Sequence, residues 1–233
     1  LLPEDGPRAE DLLHSILDDQ GIRAPAGEAP LTTRLHNLIR REHATGRDRG
    51  IPFPEVEIRD LWSELLDHPP DALLEDIALR YECGMNPVWP MPGAAELLTT
   101  LRARGLPLGI VSNAQFYTPW LFPALLGREL PDLGFTSHLC LFSYQHGVAK
   151  PGAALYRILR ERLEQQGLTP GEALYLGNDA LKDIHPAAEL GFHTALFAGD
   201  NHSLRLHRDR IGLHPPTAIL TNLNQVPELL KPS

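Results

Sequence analysis

The chain has 233 residues, 42% of them hydrophobic and 22% charged, with a formal net charge of −9 and no long basic run. These values describe an ordinary globular chain with ample core and argue against nucleic acid or an anionic membrane surface as the main partner. No apolar run approaches the ~18 residues of a membrane span, and no secretory apolar segment opens the chain.

The first 85 residues read as helical. Leu12, Leu13, Ile16 and Leu17 recur at helical spacing between Ala9 and Gln20, and Gly21 closes the run. Leu31, Leu35, Leu38 and Ile39 repeat the pattern over Leu31 to His43. Pro52 and Pro54 break the chain before a third helix, Glu55 to Leu66. A fourth spans Asp71 to Tyr81, with Leu73, Leu74, Ile77 and Ala78 on one face. A small helical domain over residues 1–85 is expected.

The segment Asn86-Pro87-Val88-Trp89-Pro90-Met91-Pro92-Gly93 reads as a stiff connector. Beyond it, over residues 86–233, strands and helices alternate. The spacing predicts a helix from Ala94 to Arg104, strands at Leu106 to Val111 and Leu139 to Phe142, and a helix from Ala153 to Gln166. Further strands follow at Ala173 to Leu176, His193 to Phe197 and Ala218 to Leu220. Apolar strands alternating with amphipathic helices imply an α/β fold, a mostly parallel, Rossmann-like sheet covered on both faces.

Three of these strand ends carry unusual polar residues. The first ends Gly109-Ile110-Val111-Ser112-Asn113, where a hydroxyl and an amide are placed to bind an anionic oxygen. The bland alternative is Ser112 as the cap of the next helix. The second is Gly147-Val148-Ala149-Lys150-Pro151-Gly152. Pro151 restrains the backbone of Lys150, making its ammonium a fixed point charge suited to an oxyanion. The third is the turn Gly177-Asn178-Asp179 with Asp183. Acids at the carboxyl end of a parallel strand sit where open α/β sheets bind ligands, and two together suit a hard cation such as magnesium. Here the alternative is a polar loop with Asp as an N-cap.

The order of the three segments resembles the second, third and fourth motifs of the haloacid dehalogenase superfamily of hydrolases, over about Pro87 to Gly199. The helical region before them resembles the cap of the subgroup that carries an α-helical cap. The resemblance implies a hydrolase with a nucleophilic Asp. In it Ser112 and Asn113 bind the transferring group, and Lys150 holds nucleophile and substrate anion together. Asp179, Asp183 and Asn178 supply or organise a Mg2+ site. A magnesium-dependent phosphatase of a small anionic, phosphorylated metabolite follows, acting through an aspartyl-phosphate, with Lys150, Ser112 and Asp183 as its catalytic group. Asn178 stands where many family phosphatases have Asp, which keeps a metal-independent 2-haloacid dehalogenase in view. A non-catalytic binding protein on the same fold is the third reading.

One motif is missing. No Asp follows an apolar strand in the pattern Asp-x-Asp-Gly-Thr. Pro3-Glu4-Asp5-Gly6-Pro7 imitates only its tail, and the chain opens Leu1-Leu2-Pro3. In this fold the first-motif strand lies mid-sheet, so its loss would strand two inner edges. The expectation is an upstream strand that carries the nucleophile.

Other residues read as structural. Trp62, Trp89 and Trp120 are expected to pack. Cys83 and Cys140, outside any metal-type spacing, are expected as buried free thiols in a reducing cytoplasm. His202 and His207 are expected to be exposed in a polar loop. None of the eleven histidines forms a His-x-x-x-His helical pair beside an acid. Gln115, Phe116 and Tyr117 either border the substrate or pack a helix start. Arg34, Arg40 and Arg41 are candidates to reach an anionic substrate from the helical domain or, as most such arginines do, to sit in solvent.

Overall fold

A computed structural model describes residues 6–230, without the side chains of residues 6 and 7. Residues 1–5, including most of the imitation of the first motif, lie outside the described residues. The chain forms two compact units. One runs to Trp89 and includes Gln115–Tyr117; the other comprises Pro90–Ala114 and the chain from Thr118 onward.

The first unit holds four helices: α1 (Gly6–Asp19), α2 (Leu31–Asp48), α3 (Ile58–Leu65) and α4 (Asp71–Met85). Their apolar stripes meet in a core of Leu13, Ile16, Leu17, Leu35, Leu61, Trp62, Leu74, Ile77 and Tyr81, all buried. Trp62 meets Tyr81 edge to face, with ring centroids 5.4 Å apart. The segment 115–117 belongs to this unit because its side chains are fastened there. Gln115 Nε2 donates to Val56 O at 2.9 Å, and its Oε1 accepts from Ile58 N at 3.0 Å. Phe116 is buried, with the Arg59 guanidinium 5.0 Å from its ring centroid.

Helix α2 starts after Pro30, which has no side-chain oxygen to cap it. The cap comes from α1 instead. Glu10 Oε1 accepts from Leu31 N at 2.8 Å, and Oε2 accepts from Thr32 N at 2.9 Å and from Thr32 Oγ1 at 2.7 Å. A carboxylate at a helix N-terminus satisfies orphan amides and opposes the macrodipole.

The second unit opens with α5 (Ala94–Ala103), β1 (Leu108–Ser112), α6 (Leu121–Leu126) and β2 (Phe135–Phe142). It continues through α7 (Ser143–His146), α8 (Ala154–Glu164), β3 (Leu174–Gly177), α9 (His185–Glu189), β4 (His193–Phe197), β5 (Ala218–Leu220) and α10 (Val226–Leu229). All the strand pairs are parallel, as the alternation predicts, but the sheet is in two parts. β1 pairs with β2, and β3, β4 and β5 form a separate ladder in that order. The two parts share their cores. Val111, Leu139, Leu141, Leu155, Tyr156 and Leu159 build the layer under α8, against which Tyr175 packs. Leu97, Leu101, Ala195, Phe197, Leu220 and Val226 build the layer under α5 and α10, against which Leu108, Leu174 and Leu176 pack. Alternate residues of β3 thus serve opposite faces, as a covered strand requires.

Some packing expectations are corrected. Trp62 is buried, but Trp89 is 70% exposed and Trp120 45%. Of the cysteines, Cys140 is buried and Cys83 exposed. Trp89 lies in the proline-rich connector and Trp120 at the start of a short helix, and Cys83 lies on the solvent side of α4.

Glu10→Ala is expected to destabilise the helical unit by about 1 kcal/mol, read from urea unfolding. Burial pushes the Glu10 carboxyl up, but bonds from the Thr32 amide and hydroxyl and the Leu31 amide outweigh it, so its pKa lies below the ordinary value of 4.5. The contribution is therefore present above that value and lost as pH falls through the folded-state pKa. Wild type and variant should converge in acid.

Candidate active site

The carboxyl ends of β1 and β3 and the loop before α8 meet at one buried ammonium. Lys150 Nζ donates to Asp183 Oδ1 at 2.6 Å and to Val111 O at 3.0 Å, and lies 3.4 Å from the Tyr175 hydroxyl. The side chains of Lys150 and Asp183 are only 12% and 7% exposed. Burial disfavours the charged lysine, but Tyr175 and Asp183 more than offset this, and the pKa of Lys150 lies above its ordinary value. The backbone of Lys150 is equally fixed. Asn113 Oδ1 accepts from Lys150 N at 2.8 Å, and Asn113 Nδ2 donates to Lys150 O at 3.0 Å. The amide after β1 therefore clamps the lysine loop. The Lys150–Pro151 peptide is cis.

Two tyrosines support the ammonium from below. The Tyr175 hydroxyl donates to Val111 O at 3.2 Å. The Tyr156 hydroxyl donates to Lys182 O at 2.8 Å and stands 3.1 Å from that of Tyr175. Burial holds both phenols above their ordinary pKa, so both remain neutral donors.

The acidic turn is built around Asp183. Its Oδ2 accepts from Asn178 N at 3.1 Å and Asp179 N at 3.0 Å. Gly177 makes this approach possible, since a Cβ there would lie 2.4 Å from Asp183 Cβ. Asp179 accepts through Oδ1 from Leu181 N at 2.9 Å and Lys182 N at 2.8 Å, capping the π-helical turn Ala180–Ile184. It is both a cap and a member of the cluster. Its Oδ1 also lies 2.9 Å from His207 Nε2.

His207 corrects the sequence reading, which places it in solvent beside His202. His202 is exposed, but the chain after Asp200 folds back onto the acidic turn. Asp200 accepts from His202 N and Ser203 N, both at 3.0 Å, turning the loop. Asn178 Nδ2 then donates to Ser203 O at 2.6 Å, Arg205 N to Asn178 O at 2.9 Å, and Ala180 N to Arg205 O at 2.8 Å. His207, at φ 49°, completes the return. The Asp-x-x-Ser turn at Asp200 was the available signal; its target 22 residues earlier was not.

Ser112 does not cap a helix. Its Oγ makes one long contact, 3.3 Å to Asn113 O. Ser143, which sequence reasoning misses, is fully buried. Its Oγ accepts from Ala114 N at 2.9 Å and donates to Ala114 O at 3.2 Å, fixing the turn after Ser112-Asn113. The arginines of the helical unit have partners there. Arg41 grips Glu64 at 2.8 and 2.6 Å, Arg34 donates to Pro25 O and Arg40 to Asn37 Oδ1.

The donor chemistry of the acidic turn fits a hard divalent cation. It offers carboxylate and amide oxygens and no sulfur. Among the described residues Asp183 accepts from Lys150 and two backbone amides, while no hydrogen bond engages Asp179 Oδ2 or Asn178 Oδ1.

A family model described as haloacid dehalogenase-like hydrolase matches residues 10–191. A glyceraldehyde 3-phosphate phosphatase of Pyrococcus abyssi is 28% identical over 194 residues, covering 71% of this chain and 75% of that protein. Haloacid dehalogenase-like hydrolase domain-containing protein 3 of Mus musculus is 30% identical over 159 residues, covering 67% of this chain and 55% of its own length. Among solved structures, a 2-haloacid dehalogenase from Pseudomonas syringae pv. Tomato DC3000 aligns with a TM-score of 0.60 at 21% identity, covering 97% of this chain and 92% of that one. At that identity the likeness concerns the fold.

Asp183→Asn leaves Lys150 buried without a carboxylate and should cost about 3–5 kcal/mol in urea unfolding. Combined with Lys150→Met, the loss should be smaller than the sum of the single losses, because the two groups form one unit.

Proposed function

The chain belongs to the haloacid dehalogenase-like hydrolase family, and on that footing we propose that it is a magnesium-dependent phosphatase of a small phosphorylated metabolite. The observation that carries the reading is the buried Lys150 ammonium, bonded to Asp183 in the turn after β3 and to Val111 O, one residue before Ser112, on β1. A phosphate ester and an attacking carboxylate repel each other, so positive charge has to be fixed in place before they approach. Lys150 supplies that charge, held by Asp183, Val111 O and Tyr175 at one end and by Asn113 at its backbone. The Ser112 hydroxyl, whose contact to Asn113 O is long, would turn to donate to a phosphoryl oxygen. Asn113 and Asp183 act as positioning residues for the ammonium.

Asp179 and Asn178 would hold Mg2+, and the ion would add charge neutralisation at the phosphoryl oxygens. The His207 contact and the backbone of residues 203–205 keep this turn in shape. The attacking carboxylate we assign to a strand between β1 and β3. Each of those strands has one edge without a ladder partner among the described residues, while both share the same two cores. The substrate class draws on the Pyrococcus abyssi relative, which is named for glyceraldehyde 3-phosphate.

The test is phosphate release from p-nitrophenyl phosphate and from triose phosphates, with magnesium or with chelator, beside chloride release from 2-chloropropionate. Magnesium-dependent phosphate release is expected. Lys150→Met should lower kcat by about 10²–10³, and Ser112→Ala by about tenfold, with unchanged circular dichroism. Chloride release without metal, and no phosphate release, would replace this reading with a dehalogenase. Ligand binding without turnover of either substrate class would replace it with a binding protein.

A further inference from the structure

A second group of polar side chains lies outside the Lys150 network, and the proposed reaction does not use it. His185 opens α9 and Glu189 closes it, so the two stand one turn apart on one helical face, with His185 Nε2 3.8 Å from Glu189 Oε2. His214 comes from the segment that leads into β5. Its ring stacks on His185 with centroids 5.3 Å apart and planes inclined by 25°. One ligand atom from each of the three residues lies within 4.8 Å of the other two.

The approach is built from the backbone. Pro215 and Pro216 follow His214, and a residue before proline is restrained to extended backbone. His214 N lies 3.3 Å from His185 Nδ1 and donates to it. Pro186 and Ala187 are buried behind His185 and anchor the start of α9. Three ligand atoms around a tetrahedral zinc ion stand roughly 3.3 Å apart, given metal–ligand distances of about 2.0–2.1 Å. Rotations of the exposed Glu189 and His214 side chains toward the half-buried His185 would close the remaining distance.

The donor set is chemically unlike the acidic turn. Two imidazoles and one carboxylate favour a borderline ion such as zinc, whereas oxygen donors favour magnesium. We propose that His185, Glu189 and His214 bind one zinc ion, with water as fourth ligand, and that the ion fastens the segment before β5 to α9. Coordination through His185 Nε2 puts the ring proton on Nδ1, so the long bond from His214 N is exchanged for a metal bond. The ligand pair His185 and Glu189 has the i, i+4 spacing of a helical metal pair, but its third member lies 29 residues from His185 in sequence.

The test uses the tag-free, chelator-treated protein, titrated calorimetrically with zinc chloride in excess magnesium chloride so that oxygen sites are filled. One zinc per chain is expected. His214→Ala should weaken it by at least ~100-fold and Glu189→Gln by at least ~10-fold, with unchanged circular dichroism and phosphate-ester hydrolysis. Zinc should raise the melting temperature of the wild type but not of His214→Ala, and cobalt in its place should give the visible absorption of a tetrahedral site. Absence of saturable zinc binding would overturn the proposal. So would equal zinc affinity in wild type, His214→Ala and Glu189→Gln, which would place the ion elsewhere.

Discussion

An ammonium buried beside a carboxylate is the interaction on which the second unit depends. Lys150 comes from the loop before α8, Asp183 from the turn after β3, and Val111 O from β1. None of these segments is close to another in sequence. Desolvating both charges is costly, and only close geometry with further hydrogen bonds offsets it. Asn113, Tyr175 and the amides of Asn178 and Asp179 satisfy groups that would otherwise be left bare, and Gly177 leaves room for the Asp183 side chain. The same arrangement points a fixed positive charge toward the strand ends. The proposed anion site would therefore draw on the same atoms that hold these segments together.

Charge is distributed differently in the helical unit. Arg41 with Glu64 and Arg59 with Glu57 and Glu75 sit at its surface, where water and salt reduce such pairs to small contributions. Its stability comes from apolar burial around Trp62, Ile77 and Tyr81. Both units rest on apolar cores, but among the described residues only the second adds a buried ion pair to them.

How much of this was legible in the sequence depended on distance along the chain. Helices and strands were legible because their periodicity is local: His193–Phe197 and Ala218–Leu220 fall where the apolar runs place them, and α4 presents Leu74, Ile77 and Ala78 inward. Ser112, Lys150 and the acidic turn stood out as polar residues at apolar strand ends. What escaped were partners set by tertiary approach. Tyr175 reads as one more apolar strand residue, yet its hydroxyl stands 3.4 Å from the buried ammonium of Lys150. Ser143 and His207 carry no local pattern for the atoms they meet. Trp89 and Trp120 show the converse, since ring size alone does not say whether a second layer exists to cover it.

The carboxylate of Glu10 offers a lesson about cooperativity. Because Pro30 has no side-chain oxygen to cap α2, the first amides of that helix find their protein acceptor on α1. The stability of one helix start is thereby linked to the docking of another. Fraying at either would therefore be felt by both, since each holds groups that the other satisfies.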